Sequence, residues 1–383
     1  MKILQPTFTD SNNIFRYNAE IVSEGIKSGL WYELDSTYKD YFTSTLDGPL
    51  VAMLLPAMTR GENIQLDGKV SEKLYYNIFN GLQYILKSLY PHLKIIKISA
   101  KELVKEPIRN QSTASGFSGG IDSFYTLFQH NFNSFMPENY KIKNLMYFNV
   151  GAFADGKERL FREKYNRLLP ATKELNLPFI AVNSNMDDFY ENNTFIQSHT
   201  LRTISVGLAL QNGFDKYLFA SGYTYIDTIV SPSRTHSISL ADPLIVPLLS
   251  TERFAPSLVG SDANRVEKTD KITSLSFAKK YLDVCIDTHY TGNCSKCRKC
   301  IRTMLTLHVL GKLDEFSEVF DVRDFKKNMF FYLAQLYRDR KEKYPSEIIN
   351  YARQVNFNVP MLAKLYAGSR IMGFVNRLNK LMI

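Results

Sequence analysis

What this chain does not contain narrows it first. Among its 383 residues there is no unbroken apolar run of about 18 residues, so no membrane-spanning helix is expected. The opening residues, MKILQPTFTDSNN, have no apolar core of the kind a secretion signal needs, and a cytoplasmic protein is expected. The pattern GxxxxGK[ST] is missing, which excludes a Walker-type phosphate loop. Six histidines are dispersed along the chain, so no histidine-rich metal centre stands out. No repeat or low-complexity tract occurs, and glycine and proline are too scattered for a long flexible linker. Cysteine is scarce, with four in all.

What is present is ordinary in bulk and uneven in detail. The length implies two or three domains. The formal charge is +9, but from Val322 to Ile383 there are twelve Lys/Arg against four Asp/Glu. A basic end of this kind suits a polyanionic partner or an acidic surface, and equally a solvated helical face.

Three regions follow from periodicity. Residues 1–110 read as an N-terminal α+β domain for recognition or oligomerisation, with a homodimer as one expected assembly. In it PLVAMLLPAM is strand-like and the Asp-Gly of LDGKVS suggests a turn. Ser71 caps a helix in which Leu74, Ile78, Leu82, Ile85 and Leu89 recur at spacings of three and four, and LKIIKIS reads as a strand. Residues 111–310 alternate strand, turn and helix. NLMYFNVG, PFIAVNS and DKYLFASG are strands, GKERLFREKYNRLLPATKELN is a helix interrupted near Pro170, and HTLRTISVGLALQNG is a helix. That alternation argues for a parallel sheet with helices over it. Residues 311–383 read as a basic helical domain, with one helix over DFKKNMFFYLAQLYRDRKEKY, breaks at Pro345 and Pro360, and a basic amphipathic helix at the end. Aromatic residues Phe330, Phe331, Tyr332, Tyr337 and Tyr344 lie among its basic ones, so a protein or nucleic-acid partner is expected there. The tail is expected to serve that partner, not the chemistry.

Two constellations carry chemistry. The first is Ser118-Gly119-Gly120-Ile121-Asp122-Ser123, set before a helical run. Glycines admit close backbone approach, Ser and Asp satisfy free N–H groups at a helix start, and the remaining N–H groups favour an anion. The second gathers all four cysteines, Cys285, Cys294, Cys297 and Cys300, in the spacing C-x8-C-x2-C-x2-C. Thiolates clustered this way read as a closed, structural zinc site, with an iron–sulfur cluster or free thiols as alternatives. Lys296, Arg298 and Lys299 between them offset the charge of a zinc tetrathiolate. His289, inside the loop, is an alternative ligand.

The SGGIDS stretch resembles the pyrophosphate loop of the PP-loop ATP pyrophosphatases. Together with the downstream cysteines it is most similar to the 7-cyano-7-deazaguanine synthases, over roughly residues 114 to 302. The resemblance implies a Rossmann-like PP-loop parallel sheet with a zinc lobe at 285–300. It implies ATP, Mg²⁺ and Zn²⁺ as cofactors. Ser118, Gly119, Gly120 and Ser123 would grip pyrophosphate, Asp122 would hold Mg²⁺ or order the loop, and Arg202 stands where the family has an arginine at a helix start. Asp227 is placed like the family's aspartate after a strand. The activity implied is ATP-dependent adenylation of a small carboxylic acid or deazapurine-like substrate, with AMP and pyrophosphate formed and the adenylate captured by ammonia or an amine. Ser118, Asp122 and Arg202 are the expected catalytic set. Family members are shorter and single-domain, and here Arg302 follows the last cysteine by two positions instead of three, so an altered substrate is expected, as in accessory or antiphage gene clusters. The alternatives are a tRNA sulfurtransferase of the same superfamily and a non-catalytic nucleotide-binding scaffold. His199, three before Arg202, and Glu267 and Lys268 read as a cap and a surface ion pair, with phosphate contact or an active-site role as the competing reading.

Overall fold

The computed structural model describes residues 1–152, 157–190, 193–233 and 236–369. The chain divides into two compact units: Met1–Ser118 with Thr126–Asp262, and Gly119–Tyr125 with Ala263–Ile383. The boundaries expected at 110 and 310 fall inside these units.

The first unit is an α/β body around one mixed, mostly parallel sheet of eleven strands among the described residues. They are β1 (Lys2–Leu4), β2 (Thr7–Ser11), β3 (Ile14–Ser23), β4 (Ile26–Asp35), β5 (Ile64–Ser71), β6 (Ile98–Val104), β7 (Thr113–Gly116), β8 (Asn144–Asn149), β9 (Phe179–Ser184), β10 (Lys216–Ala220) and β11 (Ala255–Val259). Their order is β11-β10-β7-β8-β9-β4-β3-β1-β5-β6, with β2 pairing β3. The strands β11, β10, β7, β8 and β9 are parallel neighbours. The strands of the first 110 residues join them through the antiparallel pair β4–β9, Tyr32 facing Ser184 and Glu33 facing Asn183. Two-residue turns with left-handed backbone, at Asn12-Asn13 and at Glu24-Gly25, close the hairpins on either side of β3.

Several expected elements take another form. PLVAMLLPAM is not a strand but most of helix Asp47–Arg60, with Leu50 to Leu55 all fully buried. A run buried on every side loses the amphipathic period, and its length suits a helix better than a strand. The Asp-Gly at 67–68 is not a turn; it lies inside β5, where the register against β6 shifts between Leu66 and Lys69. LKIIKIS is mostly not strand. The Gln83 side chain takes both the N–H and the carbonyl of Ile96, and the β6 ladder starts at Ile98. The helix after Ser71 forms, Glu72–Asn77 running through a π-helical turn at Ile78–Leu82 into Gln83–Leu89. Its stripe Leu74, Ile78, Leu82 and Leu89 is fully buried. Ser71 does not cap it with its side chain, because its hydroxyl donates to Asp47 at 2.7 Å. Pro170 does not interrupt helix Lys157–Glu174. The strand from APSLV, β11, carries no period-two signal and contains a proline, so nothing in its sequence marks it as a strand.

In the second unit the helices are Arg265–Ile272, Ser276–Tyr281, Arg298–Val309, Val322–Arg338, Lys343–Gln354 and Met361–Ala367, beside the segment that opens helix Ile121–Leu127. Pro345 sits in the first turn of its helix and Pro360 caps the next, positions where a missing N–H costs nothing. The expected amphipathic helix at the very end extends beyond the described residues. No described helix is long and apolar enough to cross a membrane.

Candidate functional site

The SGGIDS loop follows β7, whose sequence TASG is polar yet central. Thr113, Ala114 and Ser115 are buried between β10 and β8, and Ser115 Oγ donates to the Leu218 carbonyl at 3.0 Å. A polar strand is tolerated there because its hydroxyls are hydrogen-bonded. Strands β8 and β9 then follow on one side of β7, and β10 and β11 on the other. The direction of the crossovers reverses at β7, which is the position where open parallel sheets take ligands at their carboxyl ends.

The loop needs its glycine. Gly119 has φ +76°, a backbone that a side chain resists. Its carbonyl accepts from the Asp283 N–H at 2.7 Å, which fixes the loop within the second unit. Ser123 is buried, and its Oγ donates to the Gly120 carbonyl at 2.9 Å. Ser118 is exposed. Asp122 is engaged by two cations: Arg265 Nη1 lies 2.7 Å from its Oδ2 and Lys268 Nζ lies 3.1 Å from its Oδ1. Burial alone would raise this carboxyl, but the charges of Arg265 and Lys268 outweigh it and hold it below the ordinary carboxylate value. Both partners lie on one face of helix Arg265–Ile272, three residues apart, and Lys268 is 2% exposed. Lys268 is therefore not part of a surface ion pair. Glu267 instead completes the helix cap, its carboxylate accepting the Asn264 N–H at 2.7 Å. The spacing Arg265/Lys268 was the available signal; nothing local in the sequence joined it to Asp122.

In the same unit the four sulfurs of Cys285, Cys294, Cys297 and Cys300 lie within 4.8 Å of one another. The pairs Cys285–Cys297, Cys294–Cys300 and Cys297–Cys300 stand at 3.9, 4.0 and 3.5 Å. A tetrahedral zinc with bonds of about 2.3 Å requires sulfurs about 3.8 Å apart, so the cluster fits that ion. Ser295 takes a left-handed φ of +59°, and the chain turns so that the N–H groups of Lys296 and Cys297 donate to Cys294 Sγ at 3.4 and 3.2 Å. Such donors favour thiolates. Without a metal, burial pushes Cys285 up to about 11 and Cys300 higher, while N–H groups of Ile286 and Cys300 outweigh burial at Cys297 and bring it down to about 7. His289 is exposed and bound to Asp287, outside the four-sulfur group. Helix Arg298–Val309 starts at Cys297 and carries Arg302, whose guanidinium stacks 3.9 Å over the Tyr344 ring. Glu347, one turn beyond Tyr344 on helix Lys343–Gln354, accepts the Arg265 backbone N–H at 3.1 Å. The described part of the basic C-terminal segment, to residue 369, thus belongs to the unit that contains Asp122 and its cations. Among the expected stacking residues, Phe330 and Phe331 pack on each other and on Tyr366.

Arg202 belongs to the first unit, on helix Phe195–Ala209. It is 1% exposed. Its Nη1 reaches Asp187 Oδ1 at 2.6 Å and the Val150 carbonyl at 3.0 Å, Nε donates to Ser198 Oγ at 2.8 Å, and the plane lies 3.9 Å over Tyr190. These contacts tie the helix to the carboxyl end of β8. Gly151, next along, has φ +98°, and a Cβ there would collide with Arg202 Nη1 and with Asp187. His199 lies on the same helix, hydrogen-bonded to Ser239 Oγ at 2.9 Å, and burial, helped by the charge of Arg202, pushes it down to about 4. It is a half-buried group held by that bond, not a free surface residue. Asp227 caps Thr224, taking its N–H at 2.9 Å and its hydroxyl at 2.6 Å.

Comparison of the chain with protein-family models, curated proteins and solved structures finds no match.

Proposed function

We propose that this is an ATP-dependent ligase of the PP-loop pyrophosphatase type. It transfers AMP from ATP to a small carboxylate or amide, deazapurine-like in class, releases pyrophosphate, and lets ammonia or an amine capture the adenylate. The observation that carries the reading is that the SGGIDS sequence directly follows β7, the strand at which the crossovers of a parallel sheet reverse. The loop N–H groups around Gly119 and Gly120 serve to hold phosphate oxygens. Ser123 holds the loop's shape through Gly120, and its oxygen keeps lone pairs as a hydroxyl does. Asp122 orders the cations Arg265 and Lys268. Arg202 acts as a positioning residue, since its hydrogen bonds go to protein groups. Bound ATP with Mg²⁺ would supply the activated phosphoryl group and neutralise charge on the leaving pyrophosphate. The four-cysteine centre, with every position taken by sulfur, supplies structure. That same closure disfavours a sulfurtransferase, which needs a thiol open to reaction.

The test uses the full chain, ATP labelled in its α-phosphate, Mg²⁺ and a panel of carboxylic acids that includes 7-carboxy-7-deazaguanine. AMP and pyrophosphate should form in equal amounts with one acid class. Ser118→Ala and Asp122→Ala should each abolish the release of pyrophosphate without unfolding the chain. Formation of ADP and phosphate, or wild-type turnover in Asp122→Ala, would overturn the reading.

A further inference from the structure

We propose that Arg265 and Lys268 are a binding pair for a polyphosphate, and that Asp122 is the resident counter-ion they exchange for it. The proposal takes its ligand class from the function proposed above; the pair itself rests on geometry.

Two positive side chains converge on one carboxylate, each on a separate oxygen, at 2.7 and 3.1 Å. Glu347 is a second carboxylate near Arg265, but Lys299 and Arg302 also act on that guanidinium, so cations outnumber carboxylates around it. The Arg265 backbone N–H is satisfied by Glu347 Oε2, but the side-chain Nε–H is buried and meets no acceptor among the described residues. A buried donor without an acceptor costs free energy that an incoming oxyanion returns. Arg302, stacked on Tyr344 one turn before Glu347, adds positive charge to the same helical unit. Lys268 is almost wholly buried, and a buried ammonium persists only beside an anion. Asp122 meets that need with one negative charge and two oxygens. A pyrophosphate group brings more of both, and it satisfies Arg265 Nε as well. The carboxylate lies two residues after Gly120, where the glycine loop runs into helix Ile121–Leu127. A polyphosphate held at that loop comes within range of the cations that engage Asp122.

The experiment is calorimetric titration of the full chain with inorganic pyrophosphate, without divalent metal, nucleotide or acid. The wild type should bind, with affinity falling as salt rises. Asp122→Asn, which removes the competing carboxylate, should bind at least about tenfold tighter, as expected when a charged hydrogen-bond partner is withdrawn. Arg265→Gln and Lys268→Gln should each bind at least about tenfold weaker, and Arg265→Lys should lie between Gln and wild type. Wild-type binding in either Gln variant, or unchanged or weaker binding in Asp122→Asn, would overturn the exchange. These substitutions leave charges unpaired, so a second reading guards against unfolding: pyrophosphate should raise the melting temperature of the wild-type chain. No binding and no shift in the wild type would also overturn the proposal. The two readings fail separately. Pyrophosphate binding with no AMP formed from any acid sinks adenylation alone, and AMP formation with pyrophosphate affinity unmoved in the Gln variants sinks this pair alone.

Discussion

Replacing Arg202 by Met tests whether that residue holds the fold or meets the substrate. Met keeps most of the apolar stem and removes the guanidinium. The loss covers the ion pair to Asp187, the bonds to Val150 and Ser198, and the stack on Tyr190. Breaking a buried pair by removing one partner costs roughly 3–5 kcal/mol. Here Asp187 is 29% exposed and can turn to water, which moves the cost to the lower end, about 3 kcal/mol. For a body of this size that corresponds to a melting shift of roughly 6–12 °C.

The chain's single tryptophan makes the assay specific. Trp31 lies in β4, and its backbone N–H donates to Asn185 Oδ1 at 2.9 Å, two residues from Asp187. Urea unfolding followed by its fluorescence reports the first unit without relying on the second. Gly151→Ala offers an independent perturbation of the same network, because the new Cβ would collide with Arg202 Nη1 and Asp187 and the backbone is left-handed there. Both variants should unfold at lower urea. If Arg202→Met unfolds like wild type yet loses turnover, the side chain acts on substrate and the structural argument is refuted.

Purified chain should contain about one zinc and no iron chromophore by elemental analysis, as a four-sulfur site of this spacing requires. Cys297→Ser should lower the melting temperature of the second unit, read by far-UV circular dichroism, because metal binding and folding are coupled at such sites; a wild-type melt would count against the structural role. Gly119→Ala should cost about 1–2 kcal/mol of stability, the price of a left-handed backbone, and weaken ATP binding measured by calorimetry. His199 is neutral in the fold with its value depressed to about 4, so the unfolded chain binds its proton first as the pH falls. Stability should then decline from about pH 6.5 to about pH 4, by at most about 1.4 kcal/mol per pH unit. His199→Gln should flatten that slope in urea titrations, and an unchanged slope would show that another group is responsible.

How far the sequence spoke depended on whether its signals were local. SGGIDS and the four cysteines are short and dense, and the sulfurs do converge within 4.8 Å. Strands with strong β-formers, such as NLMYFN and PFIAVNS, were visible as β8 and β9. Signals failed where tertiary burial overrode local preference. Helix Asp47–Arg60 is buried all round and so has no period to read, and the Asp-Gly of β5 marks a bulge where a turn was the common expectation. Pairings across long separations were invisible. Asp122 and Lys268 are 146 residues apart, and the bond between them turns an ordinary exposed-looking lysine into a buried cation. Arg202 shows the converse. Its place at a helix start suggested chemistry, but helix Phe195–Ala209 turns that side chain inward, to a carbonyl at the end of β8 and a carboxylate beyond β9. A charged residue near a sheet's carboxyl edge is thus an ambiguous mark until its hydrogen bonds are counted. With its donors already spent on protein groups, it can reach a ligand only by giving up bonds the fold depends on. Arg265 would give up its ion pair with Asp122 but has an Nε–H that meets no acceptor among the described residues, and it is on that difference that the proposal gives ligand contact to Arg265 and a positioning role to Arg202.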